Sequence, residues 1–439
     1  MGYFIMKRRE FLIGSFLSTV LGHSFISGCS TRQKTFASHS LLYLQKCLEI
    51  LRNIQNQELP KLIYISIRAA ELYRNGGKLI SRFTWEHLPL NDIRSDRAGN
   101  PGYFVQNGFE ENLSPVTELK KGDFFLTNEV SEEVRLAKKE GVYSVGIATP
   151  FFPNRFTKPG GIITQPGWST IEMATHIVLY SFIPDEDGLV AFPQYPMVPL
   201  CPGSSLSLLL YYWMISAEVA YQIRAEKTYP FISKARDYIE TIIFRLHELD
   251  KQLELFEQAA QKMAENILAG SKLYYYDRTG SFTAEAVNRA SGLMMARELV
   301  PDAVQPNDVV IFGAETADHP DDVELLYQLK ERKALIVTIA PLPANHVRNK
   351  LKTLNQFAHF GIDNLSGEPG GVVTVIKNEP PICPAGGVMN IIILWALTAQ
   401  LIGELIRKDL VPYVIMGKHL VGGIEYNLAI QRFFEKRGF

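Results

Sequence analysis

Cys201-Pro-Gly-Ser-Ser205 opens an apolar run that reaches Ile223, and Cys383-Pro-Ala-Gly-Gly387 opens another that reaches Ile406. A single offset then pairs Trp213 with Trp395, Ala217 with Ala399 and Pro230 with Pro412, without a gap. Such self-similarity predicts two copies of one module. Looser matches extend it upstream: Asn75-Gly-Gly-Lys-Leu79 resembles Ala269-Gly-Ser-Lys-Leu273, and Lys121-Gly-Asp-Phe124 resembles Pro306-Asn-Asp-Val309. The offset drifts there, so loop lengths differ between the copies. A chain of 439 residues accommodates two modules that each bury a core.

Each apolar run approaches the length of a membrane-spanning helix. Glu218 and Gln222 interrupt the first, and Asn390, Gln400 and Glu404 the second. Interruption in both copies predicts a central helix buried in a globular fold.

Each copy begins with helical periodicity, Leu41-Leu44-Leu48-Leu51 in one and Ile239-Ile242-Leu246-Leu249 in the other. A second helix ends near Gly76 or Gly270, where glycine supplies a left-handed cap. In the first copy, strands at 78–83, 123–127 and 142–147 alternate with a helix at 131–140. In the second, strands at 272–276, 308–312 and 334–339 alternate with helices from Thr283 and at 321–332. Alternation of this kind predicts an α/β fold, two three-layer α/β/α sandwiches with parallel sheets packed as an intramolecular pair.

The amino terminus concerns address. Lys7-Arg-Arg-Glu-Phe-Leu12 precedes an apolar run from Ile13 to Ile26, the layout of a twin-arginine export signal. Ile26-Ser-Gly-Cys29 resembles a lipobox, with Cys29 as the lipidated residue. The alternative is an uncleaved anchor or a basic cytoplasmic start, and translation starting at Met6 is equally compatible. The expected division is a signal at 1–29, a linker at 30–39, a first domain at 40–232 and a second at 233–439. The expected location is the periplasm or cell envelope, with a lipid or signal anchor as the membrane contact.

The net charge of −1, with evenly scattered signs, gives no basic stripe, so nucleic acid is not an expected partner. Beyond Cys29 the cysteines are Cys47, Cys201 and Cys383, too few for a disulfide framework. No Cys or His spacing suggests zinc, and neither a metal nor a cofactor is expected.

Gly270-Ser-Lys-Leu-Tyr-Tyr-Tyr-Asp-Arg-Thr-Gly-Ser281, followed by Ala284-Glu285 and Arg289-Ala-Ser-Gly292, resembles the first strand, glycine-serine turn and helix of the SIS (sugar isomerase) domain family. Asn307 to Ala317 and Leu335 to Ala340 are similar to that family's second and third strands. The tail Gly422-Gly-Ile-Glu-Tyr-Asn427 resembles a branch of its single-domain members. The likeness covers residues 235–439 well and 40–232 weakly.

The resemblance implies a phosphosugar or other carbohydrate derivative held at a helix start, with Thr279, Gly280, Ser281 and Thr316 as ligand-binding residues. Main-chain N–H groups and the helix dipole suit an anion there, though the same triplet also reads as an ordinary turn with an N-cap. Enediol isomerisation needs a base, for which Glu285, Glu315, His319 and His419 are the candidates, with Glu285, Glu315 and His419 preferred. A lone histidine is more often structural or surface than catalytic.

The chain departs from the family where phosphate is normally wrapped. Glu315, Asp318, Asp321 and Asp322 follow the second strand and repel an anion, and Asn128-Glu129-Val-Ser-Glu-Glu133 is again acidic. These loops could instead hydrogen-bond sugar hydroxyls, hold an amino sugar or simply be solvated helix starts. The first copy shows Phe83-Thr-Trp-Glu-His87 in place of a glycine-serine turn. The expectation is an exported binder of a carbohydrate derivative, one copy keeping the site and the other serving as scaffold. A sugar isomerase and a structural or interaction protein are the alternatives, and a homodimer is compatible with each.

Overall fold

The computed structural model describes residues 38–83, 92–106, 119–150, 171–225, 227–229, 231–287, 289–342, 353–367 and 370–438. The predicted signal with Cys29, the segment Thr84 to His87 and Pro230 lie outside them. In chain order the earlier part holds α1 (His39–Asn53), α2 (Leu59–Arg74), β1 (Leu79–Arg82), β2 (Phe104–Gln106), β3 (Phe124–Thr127), α3 (Glu132–Lys139), β4 (Tyr143–Ala148), α4 (Ile171–Ala174), β5 (Ile177–Tyr180), β6 (Gly188–Val190), β7 (Leu200–Pro202) and α5 (Ser204–Arg224). The later part holds α6 (Lys234–Glu248), α7 (Leu253–Leu268), β8 (Leu273–Tyr276), α8 (Ser281–Ala286), β9 (Ala296–Glu298), β10 (Val309–Gly313), α9 (Pro320–Glu331), β11 (Leu335–Ala340), β12 (Phe360–Asp363), α10 (Gly386–Arg407) and α11 (Gly423–Arg437).

Two five-stranded sheets have the orders β2-β1-β3-β4-β5 and β9-β8-β10-β11-β12, so their topology is the same. Every pairing within them is parallel. Alternate residues of each strand point to opposite faces. Leu79, Phe124, Leu126, Leu273, Val309 and Ile311 join one large core together with the long helices, whereas Ile80 and Phe125 pack with Val134 and Ala137 of α3. Tyr274, Val310 and Ile336 pack likewise with Leu326 and Leu329 of α9. Each sheet is therefore the middle of three layers. The inner faces of both belong to the same core, and residues 37–439 are one compact unit.

The apolar runs form α5 and α10, in which Trp213 and Trp395 are fully buried. By length and hydropathy α10 could cross a membrane, but 89% of its apolar window is buried inside the protein. The polar interruptions explain why.

The opening helix of each half packs on the other half's central helix: α1 lies on α10 and α6 on α5, while α2 and α7 remain with their own half's central helix. Glu218 in α5 accepts hydrogen bonds from the Ser233 hydroxyl (2.9 Å) and the Ala235 N–H (3.1 Å), capping the first turn of α6. Gln400 in α10 accepts from the Ser40 N–H (3.2 Å) and the Ser38 hydroxyl (3.3 Å) at the start of α1. Orphan N–H groups at a helix start need acceptors, so a polar residue inside an apolar run is what the exchange requires. Tyr43 of α1 and Tyr238 of α6 then donate to the Pro202 and Pro384 carbonyls, each at 3.0 Å. Cys201 and Cys383, next to those prolines, both have positive φ, 64° and 59°. The described cysteines are free and buried.

Candidate functional site

In a parallel sheet the strand ends that feed helices open on one edge, and ligands gather there. At that edge of the later sheet, a cleft lies between the ends of β8 and β10 and the starts of α9 and α10.

The turn after β8 is self-organised. Asp277 accepts from the N–H (2.9 Å) and hydroxyl (2.8 Å) of Thr283 through one oxygen and from the Thr279 hydroxyl (2.6 Å) through the other. Gly280 turns the chain into α8 at φ 78°, a left-handed conformation that costs glycine nothing. One N–H of this helix start, that of Thr283, is thus already held by a carboxylate of the chain.

The opposite wall comes from β10, α9 and α10. Gly313 lies so close to Phe282 that an added Cβ would stand 2.7 Å from its ring. The Ala314 carbonyl accepts from the amides of Asn364 (2.9 Å) and Asn390 (3.4 Å), which fixes Asn390 on the wall. Asp322, in the first turn of α9, is buried, with one carboxylate oxygen 3.6 Å from the Arg278 guanidinium and the other without a hydrogen-bond partner. Burial, only partly countered by Arg278, raises the Asp322 carboxyl above its ordinary pKa.

The last wall residue comes from the other half of the chain. Asp92 accepts from the Trp213 indole N–H (3.2 Å) and pairs with Arg97, whose other nitrogen reaches Glu315 at 2.7 Å. An added Cβ at Gly387 would lie 2.2 Å from an Asp92 oxygen, so glycine at the start of α10 is what lets this carboxylate approach. The cleft is lined by four carboxylates, Asp92, Asp277, Glu315 and Asp322, and by Thr279, Ser281 and Asn390. Arg278 is the cation on its wall.

Of the residues expected from sequence, Thr279, Ser281 and Glu315 meet here, with Gly280 between the first two. Glu285 does not line the cleft. It is fully buried, accepting from the Ser205 hydroxyl (2.8 Å) and the Trp395 indole N–H (3.1 Å), with the Arg289 guanidinium at 3.5 Å. Arg289 in turn contacts Asp187 (3.2 Å) and the Ser204 hydroxyl (2.7 Å). Burial pushes the Glu285 carboxyl up in pKa, against the opposing effect of Arg289. This network answers the Trp213-Asp92-Arg97 network in the other half, so Glu285 ties the central helix α10 to α8.

Thr316 is half-buried and outside the lining, and His419 turns away, its Nε2 lying 3.1 Å from the Asp185 carbonyl oxygen. His319 precedes α9 with Nδ1 3.9 Å from Asp321. Among the described residues no group of His, Cys, Asp and Glu side chains is arranged to hold a metal ion. Asp92 and Asn390 carried no sequence signal toward the cleft. Asp277 could have been found, because it stands directly before the Arg-Thr-Gly-Ser turn.

No family model matches the chain. It is 23% identical over 235 residues to a UPF0309 protein of Listeria monocytogenes, a match covering 48% of this chain and 97% of the relative. A UPF0309 protein of Caldanaerobacter subterraneus is 22% identical over 238 residues, covering 46% and 97%. Among solved structures, the C-terminal domain of glucosamine-fructose-6-phosphate aminotransferase from Francisella tularensis aligns with 88% of this chain and 99% of its own, at TM-score 0.45 and 11% identity. Tagatose-6-phosphate ketose/aldose isomerase from Escherichia coli aligns with 86% and 95%, at TM-score 0.39 and 13% identity.

Proposed function

We propose that this protein binds a carbohydrate derivative in the cleft at the ends of β8 and β10, as a doubled and largely non-catalytic SIS-type module. The observation that carries the reading is the gathering of the Thr279 and Ser281 hydroxyls, the Asn390 amide and several carboxylates on one cleft at the ligand-binding edge of a parallel sheet. Hydroxyl, amide and carboxylate groups together match a ligand that presents many hydroxyls. The doubling is supported by the common strand order and by relatives whose nearly whole length corresponds to less than half of this chain. On this reading the division falls at 40–232 and 233–439.

A thermal-shift panel of hexoses, amino sugars, hexose phosphates and muropeptide-like sugars tests the proposal. Binding raises the melting midpoint by an amount that grows with ligand concentration. No shift across the panel would leave the interaction-protein alternative.

An enediol isomerase is the second reading, favoured by Asp322, a cleft carboxyl whose raised pKa suits proton transfer. Incubation of each panel sugar with the protein in D2O distinguishes it, since an enediol mechanism exchanges the C2 proton and binding alone does not. The proposed address is the cell envelope after twin-arginine export. Mass spectrometry of the mature chain should then find a lipidated Cys29 at the amino terminus, and an intact start at Met1 or Met6 would remove that address.

A further inference from the structure

We infer that the cleft receives the positively charged group of its ligand, a small polyhydroxylated molecule carrying a free primary ammonium, as an unacylated amino sugar does. The inference rests on the reading of the cleft as a carbohydrate site and adds the charge of the ligand to it.

The first observation is Asp322. Its side chain is 4% exposed, it stands on the cleft wall, and one of its oxygens has no hydrogen-bond partner. A buried carboxylate oxygen without a donor is costly, and a ligand N–H is a direct way to satisfy it. Arg278 does not fill this role: it is 45% exposed and reaches only the other oxygen, at 3.6 Å.

The second observation comes from the other sheet, where the corresponding place is already occupied. The register Leu79↔Phe124 in the earlier sheet matches Leu273↔Val309 in the later one, so Arg82 at the end of β1 stands where Tyr276 stands at the end of β8. Arg82 is buried, its side chain 1% exposed, and its guanidinium lies on Glu129 (2.5 and 2.7 Å) with Glu133 at 3.6 Å. Glu129 and Glu133 belong to the acidic segment after β3, the counterpart of the segment after β10 that carries Glu315 and Asp322. One acidic strand end therefore carries a buried cation on its own first strand. The other offers a tyrosine at that register, has the half-exposed Arg278 near Asp322, and leaves one oxygen of Asp322, a cleft-wall residue, without a hydrogen-bond partner.

Charge count points the same way. Arg97 is engaged by Asp92 and Glu315, which leaves Asp277 and Asp322 opposite the half-exposed Arg278. A phosphate dianion placed between them meets like charge at short range.

Titration calorimetry of the unmodified chain with glucosamine, glucose, N-acetylglucosamine, glucosamine 6-phosphate and glucose 6-phosphate at low ionic strength tests the inference. Glucosamine should bind at least ~10-fold more tightly than glucose or N-acetylglucosamine, the scale of one charge-assisted hydrogen bond. In Asp322→Asn that preference should fall to within about 3-fold. Equal affinity for N-acetylglucosamine, or preference for either phosphate, overturns the charge assignment and leaves the carbohydrate reading standing. A preference that survives in a folded Asp322→Asn also overturns it. Failure of every sugar to bind overturns both.

Discussion

The ends of β1 and β3 and the ends of β8 and β10 share a topology and an acidic loop, yet Arg82 is buried against Glu129 at the first and a cleft opens at the second. The starts of the central helices differ in the same sense. Ser205 at the start of α5 donates to Glu285, whereas Gly387, its counterpart under the repeat, withdraws its side chain so that Asp92 can reach the cleft. One scaffold can therefore hold a satisfied interior at one strand end and a functional edge at the other, by exchanging single residues at equivalent places.

The harshest way to break this comparison is Arg82→Ala. Removing one partner of a buried ion pair strands the other, so stability should fall by about 3 kcal/mol in urea titrations. Arg278→Ala, at a residue 45% exposed and 3.6 Å from the buried Asp322, should cost less, about 1 kcal/mol. Similar losses at both sites would mean that the two strand ends are not different in kind.

Gly387→Ala comes next. Its Cβ would collide with Asp92, so an overpacking loss of about 2 kcal/mol is expected, together with weaker ligand binding. Ser205→Ala should instead remove one hydrogen bond to Glu285 and cost about 1–2 kcal/mol with ligand binding unchanged.

Asp322→Asn sharpens the contrast through pH. The folded-state pKa of Asp322 is raised, so its proton stabilises the fold, and the penalty develops as pH rises from the ordinary carboxylate range through the folded value. Arg278 and His319 oppose this penalty and Asp321 adds to it. The ligand-free variant should therefore melt higher than the parent by on the order of 1–2 °C at neutral pH, the gap closing toward pH 4. A variant that melts lower at neutral pH would show that Asp322 is structural.

The mildest test concerns the thiols. Cys47, Cys201 and Cys383 are buried, and burial pushes the Cys47 thiol up to about 12. All three should resist a thiol reagent in the native protein and react once it is unfolded. Native reactivity of Cys201 or Cys383 would place those equivalent turns nearer to solvent than the core allows.

The central strands and the long helices were legible in the sequence because alternation and 3.6-residue periodicity are local consequences of burial. Predicted and observed ends differ by a residue or two, as for the strand placed at 272–276 and found at Leu273–Tyr276. The helix expected from Thr283 begins at Ser281 and is short, because the chain must leave α8 for the buried Arg289. The edge strands β2 and β9 carried too few residues to show a period. Thr279 and Ser281 were legible as a turn, which announces itself over a few residues, and the structure brings both to the cleft. Glu285 lies in the core instead, since a carboxylate just after such a turn has the same local sequence whether it faces a cleft or a core. Arg289 four residues on was the available hint of an interior ion pair.

By itself the sequence determined the α/β class and the burial of two helices that match a membrane span in length, because each depends on spacing along the chain. Only the tertiary structure decided that α1 and α6 exchange partners, that Glu218 and Gln400 cap the exchanged helices, and that Asp92 crosses to a cleft built mainly by the other half. The α1–α10 contact and the approach of Asp92 to Gly387 join residues hundreds of positions apart. No periodicity encodes them, and they are set by which packing satisfies every buried polar group at once.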